Sequence, residues 1–66
     1  MDWVKVPEKV ELAVREHQNG STFVFLLNFD HTPQEIEVEK EAKDLFTGTV
    51  VSGRVTMNPF DVLILE

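Results

Sequence analysis

Apolar residues recur at every second position in the first part of the chain, which is typical of half-buried β-strands. In the segment 10–16 they are Val10, Leu12 and Val14. A second apolar segment, 22–29, follows the pair Asn19-Gly20. Asn and Gly both tolerate the positive φ that a type I′ turn requires, so the pattern predicts a β-hairpin with a two-residue loop.

A two-residue loop also sets the register of this hairpin. The apolar pairs in that register are Val14 with Phe25, Leu12 with Leu27, and Val10 with Phe29. All six would share one face, and a slip by one residue would place charged side chains on it. We therefore expect this face to be the core. Val24 and Leu26, on the other face, would be covered by a second sheet or by a neighbouring domain.

The rest of the chain predicts further short strands between turn signals. Residues 34–39 alternate β-branched residues with Glu, which favours a strand followed by a loop over the helix that segment 34–43 would also allow. Short strands at 50–51 and 54–57 and a closing strand at 61–65, expected at the centre of a sheet, complete the set.

These segments together predict an all-β fold. It is a small antiparallel β-sandwich or open barrel of about five to seven short strands, with Greek-key-like connections. Residues 10–66 form the single domain in this interpretation, and residues 1–9 are a lead-in or linker.

Composition narrows the classes of partner. The chain has 66 residues, a formal net charge of −6 and no cysteine. The negative charge argues against binding to nucleic acid phosphates, and without Cys there is neither a disulfide framework nor a thiolate zinc site. The longest apolar run, 23–27, is too short to cross a bilayer, and residues 1–5 lack the pattern of a signal peptide. We expect no nucleic acid and no membrane as partners.

Side chains suited to catalysis are few. Glu35, Glu37 and Glu39 form the densest group of carboxylates, but their alternation places them on the solvated face of a strand. His17 and His31 lie in predicted turns, without the spacing of a zinc site. The three glycines are isolated, so no phosphate-binding loop is present. We predict no catalytic residue, no metal ligand and no cofactor in this chain.

Exposed aromatic rings are the usual platforms for sugars, and this chain has one Trp and no Tyr. With Phe23, Phe25 and Phe29 assigned to the core face, Trp3 and Phe60 are the candidates for contact with a sugar or with an adjoining domain. Packing is the favoured role for Trp3. For Asn28, at the end of the second strand, we expect an amide that holds the following turn in place.

Several segments resemble a known family when they are taken in order. They are VELAVRE at 10–16, FVFLLNF at 23–29, DLFTG at 44–48, VSG at 51–53 and PFDVLILE at 59–66. Their order and spacing resemble the C-terminal domain of β-galactosidases in glycoside hydrolase family 42. The family pattern has Gly where Asp61 stands after an aromatic residue, which leaves the conformation of that turn open.

The resemblance implies a small all-β domain that follows a catalytic (β/α)8 barrel and a middle α/β domain used in trimer assembly. Enzymes of the family hydrolyse terminal β-galactosides with retention, through two Glu residues of the barrel. Neither Glu has a counterpart in this chain. The resemblance therefore implies a non-catalytic accessory domain, with the barrel of a parent enzyme as its partner and a bacterial, cytoplasmic location.

Two other functions stay open at this stage. A carbohydrate-binding module is the first, although the scarcity of candidate exposed aromatic rings argues against it. The second is the C-terminal β-domain of an α-amylase-like glycosidase. Whichever parent applies, an apolar face or sheet edge left uncovered would also promote self-association of the chain.

Overall fold

Six β-strands form the fold in the computed structural model, which describes residues 2–66. They are β1 (Val4–Lys5), β2 (Val10–Glu16), β3 (Thr22–Asn28), β4 (Gln34–Lys43), β5 (Val50–Met57) and β6 (Val62–Leu65). Over the described range no helix is long and apolar enough to cross a membrane.

The strands form two antiparallel three-stranded sheets. We call the sheet with strand order β2-β3-β6 the hairpin sheet and the sheet with order β1-β4-β5 the acidic sheet. The sheets also meet at one side, where Lys43 and Glu66 exchange main-chain hydrogen bonds of 3.3 and 3.0 Å. The prediction of an all-β antiparallel sandwich is confirmed, but β3 rather than the closing strand β6 is central in its sheet.

The β2–β3 hairpin forms as predicted, but its register is shifted by one residue. Val14 pairs with Val24 instead of Phe25. The cause is the turn, in which Gly20 N donates to His17 O at 2.9 Å and leaves three residues in the loop. Gly20 has a φ of 89° whereas Asn19 keeps a negative φ, so the loop ends in a glycine bulge and is not a type I′ turn.

This shift exchanges the two faces of β3, because side chains alternate along a strand. Val24 and Leu26 are fully buried beneath the acidic sheet, which confirms the prediction that a second layer covers them. Phe23, Phe25 and Leu27 lie on the outer face, and Phe29 is 47% exposed. The prediction that these four residues form the core is therefore wrong.

The core lies between the sheets and takes side chains from both. Its buried members are Val4, Val10, Val24, Leu26, Ile36, Val38, Ala42, Met57 and Leu65. Val4 belongs to β1, which pairs with β4 through Val38. The segment 1–9, interpreted from the sequence as a lead-in, thus contributes one strand and one core side chain.

Strand β4 continues through the segment predicted as a loop. Between the pairs Val38–Gly53 and Ala42–Val51 it holds three residues where β5 holds one, so the ladder is irregular there. Gly53 accommodates the irregularity with a φ of 73°. Because β5 also runs through this point, the two short strands predicted for it are one.

Candidate functional site: the outer face of the hairpin sheet

Apolar residues form a row across the outer face of the hairpin sheet. Ala13 of β2 lies opposite Phe25 of β3, which lies opposite Ile64 of β6. Leu45 extends the row on the far side of β6, where its N–H donates to Ile64 O at 2.9 Å. Four apolar residues in register thus cross the whole sheet.

A second row lies beside the first. Glu11, Leu27 and Val62 are opposite one another on the three strands. Together with neighbours from the first row they line a shallow cavity of about 260 Å³. Glu11 supplies the one charged side chain in this lining, so the floor of the cavity is hydrocarbon.

A third pair of apolar positions completes the surface beyond the end of β3. Asn28 N donates to Asp61 O at 3.0 Å and Asn28 O accepts from Phe60 N at 2.8 Å, so the β3–β6 pairing continues past the strand ends. Phe60 and Asp61 thus both lie opposite Asn28, which makes a bulge in the ladder, and the exposed Phe29 follows Asn28 at this end of the sheet.

We call this surface the apolar face. It comprises Ala13, Phe25, Leu27, Phe29, Leu45, Phe60, Val62 and Ile64. Four of these side chains are at least 42% exposed, and Phe60 reaches 65%. Large contiguous apolar surfaces on folded domains are typical of interaction sites, and the apolar face is therefore the candidate site of this chain.

The opposite outer surface of the sandwich is charged. Glu35, Glu37 and Glu39 alternate along β4 and are exposed, as the sequence predicts. Lys5 Nζ lies 2.9 Å from Glu39 Oε2, and this hydrogen bond raises the pKa of the Lys5 amine. Arg54 Nε lies 3.9 Å from Glu35 Oε1. One outer face is therefore suited to water and the other is not.

Phe60 occupies a strained position at the edge of the apolar face. Asp61 N donates to Asn58 O at 3.0 Å, which closes a turn with Pro59 second and Phe60 third. Phe60 has a φ of 63°, in the left-handed region that a type II turn reserves for Gly at its third position. Asp61 itself has no positive φ, and its carboxylate accepts from Asn58 N at 2.8 Å.

Trp3 and Phe60 lie beside different sheets. Trp3 packs against the core, and its O accepts from Glu39 N at 2.7 Å on the acidic sheet. Lys40 Nζ lies 4.2 Å from the centroid of the indole ring, a cation–π contact. Phe60, in contrast, lies beside Asn28 of the hairpin sheet. The two candidate contact residues do not form a joint platform.

Two buried polar side chains hold turns in place. Asn28 Oδ1 accepts from Asp30 N at 3.0 Å, which confirms the role predicted for this amide. Asp44 was not among the residues predicted to be important, yet it is only 3% exposed and its carboxylate accepts from Phe46 N and from the Thr47 hydroxyl. Its signal in the sequence is the Asp-x-x-Thr-Gly spacing of a side-chain-stabilised turn.

The two histidines lie in different turns, and His17 lies beside Phe23, which shares the outer face of β3 with Phe25. His17 makes an edge-to-face contact with Phe23 at 6.2 Å between ring centroids, and His31 is exposed beside Asp30. Among residues 2–66, no three His, Asp or Glu side chains are grouped so as to hold a metal ion.

Comparisons with known proteins agree with this fold. The family model described as the β-galactosidase C-terminal domain matches residues 9–66. β-Galactosidase GanA of Bacillus subtilis (strain 168) is 30% identical over 56 residues, which cover 85% of this chain and 8% of that protein. This family match selects the β-galactosidase family over the α-amylase-like alternative.

Two solved structures extend the comparison. One is a catalytic mutant of Gan42B, a family 42 β-galactosidase from G. stearothermophilus, with a TM-score of 0.83 and 29% identity over 94% of this chain. The other is the β-galactosidase from Bacillus circulans sp. alkalophilus, with a TM-score of 0.81 and 29% identity over 96% of this chain. The match covers 9% of each of those chains. The chain described here belongs to the family of C-terminal domains of glycoside hydrolase family 42 β-galactosidases.

Proposed function

We propose that this chain acts as the non-catalytic accessory domain of a bacterial β-galactosidase, and that the apolar face packs against the rest of that enzyme. The catalytic barrel of the parent would cleave terminal β-D-galactosides with retention. Residues 10–66 would form the accessory domain, and residues 1–9 would lead into it through β1. A cytoplasmic location follows from the same family resemblance.

The contrast between the two outer faces carries this proposal. Leu45, Phe60 and Val62 expose apolar side chains on the hairpin sheet, while β4 presents a row of glutamates on the acidic sheet. Covering an apolar surface is favourable by about 25 cal/mol per Å² of area removed from water, whereas covering the glutamates would cost desolvation. The orientation of the domain in its enzyme follows: apolar face inward and acidic sheet outward.

Activity measurements test whether catalysis belongs to the rest of the enzyme and not to this domain. The pure 66-residue chain is expected to give no turnover of a chromogenic β-galactoside, and the full-length polypeptide that contains it is expected to turn over that substrate. Turnover by the 66-residue chain alone would overturn the non-catalytic role. An inactive full-length polypeptide would overturn the choice of parent.

Trp3 and Phe60 are the residues that a carbohydrate-binding module would use. We propose instead that Phe60 contacts the rest of the enzyme and that Trp3 packs, because the indole already carries the Lys40 ammonium on its ring. Titration of the 66-residue chain with galactose and lactose, followed by NMR, distinguishes the two functions. Saturable shifts at either residue would favour sugar binding, and their absence supports domain packing.

A further inference from the structure

Phe60 combines two properties that oppose each other in a domain on its own. Its φ of 63° brings the Cβ atom close to a neighbouring carbonyl oxygen, which Gly avoids and Asn tolerates better than other residues. Its ring is 65% exposed, so burial within this chain does not offset the strain. Gly in place of Phe60 would therefore relax the turn with little loss of packing.

Phe60 also lies among other exposed apolar residues, at one end of the apolar face. Phe60 N donates to Asn28 O, and Phe29, the next residue after Asn28, is 47% exposed. Val62, two residues after Phe60, is 42% exposed. These three residues form the end of the apolar face that lies opposite to Leu45. Val62 also lines the shallow cavity, together with Leu27.

We infer that Phe60 is a docking residue, whose ring inserts among side chains of the rest of the β-galactosidase polypeptide. Burial of the ring in that interface offsets the strain of the left-handed backbone. This inference rests on the proposed function, which supplies the occupant. The matched relatives are far longer than this chain, which covers 8% or 9% of them, so nearly all of their polypeptide lies outside this domain.

Three substitutions separate the strain from the docking interaction. Phe60→Gly and Phe60→Asn relieve the strain and remove the ring, whereas Phe60→Ala keeps the Cβ atom and removes only the ring. Hydrogen exchange at the amides of Val24 and Leu26 reports opening of the domain core. It is measured in the 66-residue chain, at a concentration at which the chain is monomeric, and in the full-length enzyme.

We expect Phe60→Gly to slow exchange about fivefold or more in the 66-residue chain and to accelerate it in the full-length enzyme. Phe60→Asn is expected to do the same to a smaller extent. Phe60→Ala is expected not to raise the protection of the 66-residue chain above that of the unsubstituted chain. In the enzyme it is expected to lower the protection. Faster exchange of Phe60→Gly in the 66-residue chain, or the same change in both proteins, would overturn the inference.

Two further variants serve as controls. Phe46 has a ring that is 66% exposed but an ordinary φ, so Phe46→Gly is expected to weaken protection of the 66-residue chain. Leu27→Ser tests the apolar face itself. One outcome is that Leu27→Ser lowers the protection of the core amides more in the enzyme than in the 66-residue chain, while Phe60→Gly does not. In that case only the Phe60 inference fails. Equal effects of Leu27→Ser in both proteins would overturn the proposed packing, and the inference with it.

Discussion

The Asn28 side chain joins the two sheets: its Nδ2 donates a hydrogen bond to the main-chain oxygen of Met57 at 3.0 Å. The same nitrogen lies 3.0 Å from Thr32 O and 3.2 Å from Asn58 O, and Oδ1 accepts from Asp30 N. Asn28 is fully buried. One amide thus connects β3, the end of β5 and the turn before β4.

We expect Asn28→Ala to lower the free energy of unfolding by about 1–3 kcal/mol, because it leaves buried main-chain groups without partners. Asn28→Asp keeps the shape but removes both donor hydrogens, and should destabilise at least as much. The exposed Asn58 is the matched control, so Asn58→Ala should have little effect on urea denaturation. Equal midpoints for the Asn28 and Asn58 variants would contradict this account of the sheet junction.

The hairpin register makes a paired prediction at neighbouring positions. Leu26 is fully buried in the core, so Leu26→Ala should cost about 2–5 kcal/mol of stability. Phe25 lies on the apolar face, so Phe25→Ala should cost clearly less although it removes more atoms. Chemical denaturation of both variants checks the order. A larger loss for Phe25→Ala would indicate the register with a two-residue loop.

The hairpin shows what the sequence can predict and where it is ambiguous. Alternation in β2 identified the strands, but β3 is apolar on both faces, so either face could pack inward. The register of the hairpin therefore depends on the turn, and Asn19-Gly20 is compatible with two loop lengths that differ by one residue. A one-residue difference in loop length therefore decides which face of β3 packs against the core.

Contacts between distant segments could not be predicted from local pattern. The irregularity in β4 depends on β5, where Gly53 accommodates the extra residues. The candidate site has the same origin, since Leu45 joins the apolar face only because β6 brings Ile64 beside it. Phe60 was identified as a candidate from its aromatic character, but its strained backbone appears only in the folded turn.

The turn at Asp30 predicts a response to acid. The Thr32 hydroxyl donates to Asp30 Oδ2, and this hydrogen bond lowers the pKa of the Asp30 carboxyl. A carboxyl whose pKa is lower in the folded than in the unfolded state stabilises the fold when the pH is above the pKa of the unfolded state. That contribution is lost as the pH falls below about 4, through the folded pKa.

Thr32→Val should therefore raise the pKa of Asp30 towards its ordinary value, whereas Thr32→Ser, which keeps a hydroxyl, should leave it low. NMR titration of the Asp30 carboxyl carbon measures both. The same titration midpoint in Thr32→Val and the unsubstituted chain would show that another group, such as His31 at 3.4 Å, holds the carboxyl in its charged form.

An uncovered apolar face should also make the 66-residue chain self-associate. We expect its weight-average mass in sedimentation equilibrium to rise with concentration, and we expect Leu27→Ser combined with Val62→Thr to suppress the rise. Glu37→Ser, on the acidic sheet, is the control and should not suppress it. Association that persists in the double variant would point to a sheet edge as the contact.

Hydroxyl-radical footprinting of the apolar face tests the central claim most directly. At a concentration at which the 66-residue chain is monomeric, its Leu27, Phe29 and Val62 should be oxidised readily, and they should be protected in the full-length β-galactosidase. Arg54, on the opposite outer face, should react equally in both. Equal oxidation of Leu27, Phe29 and Val62 in the two proteins would contradict the claim that the apolar face packs against the rest of the enzyme.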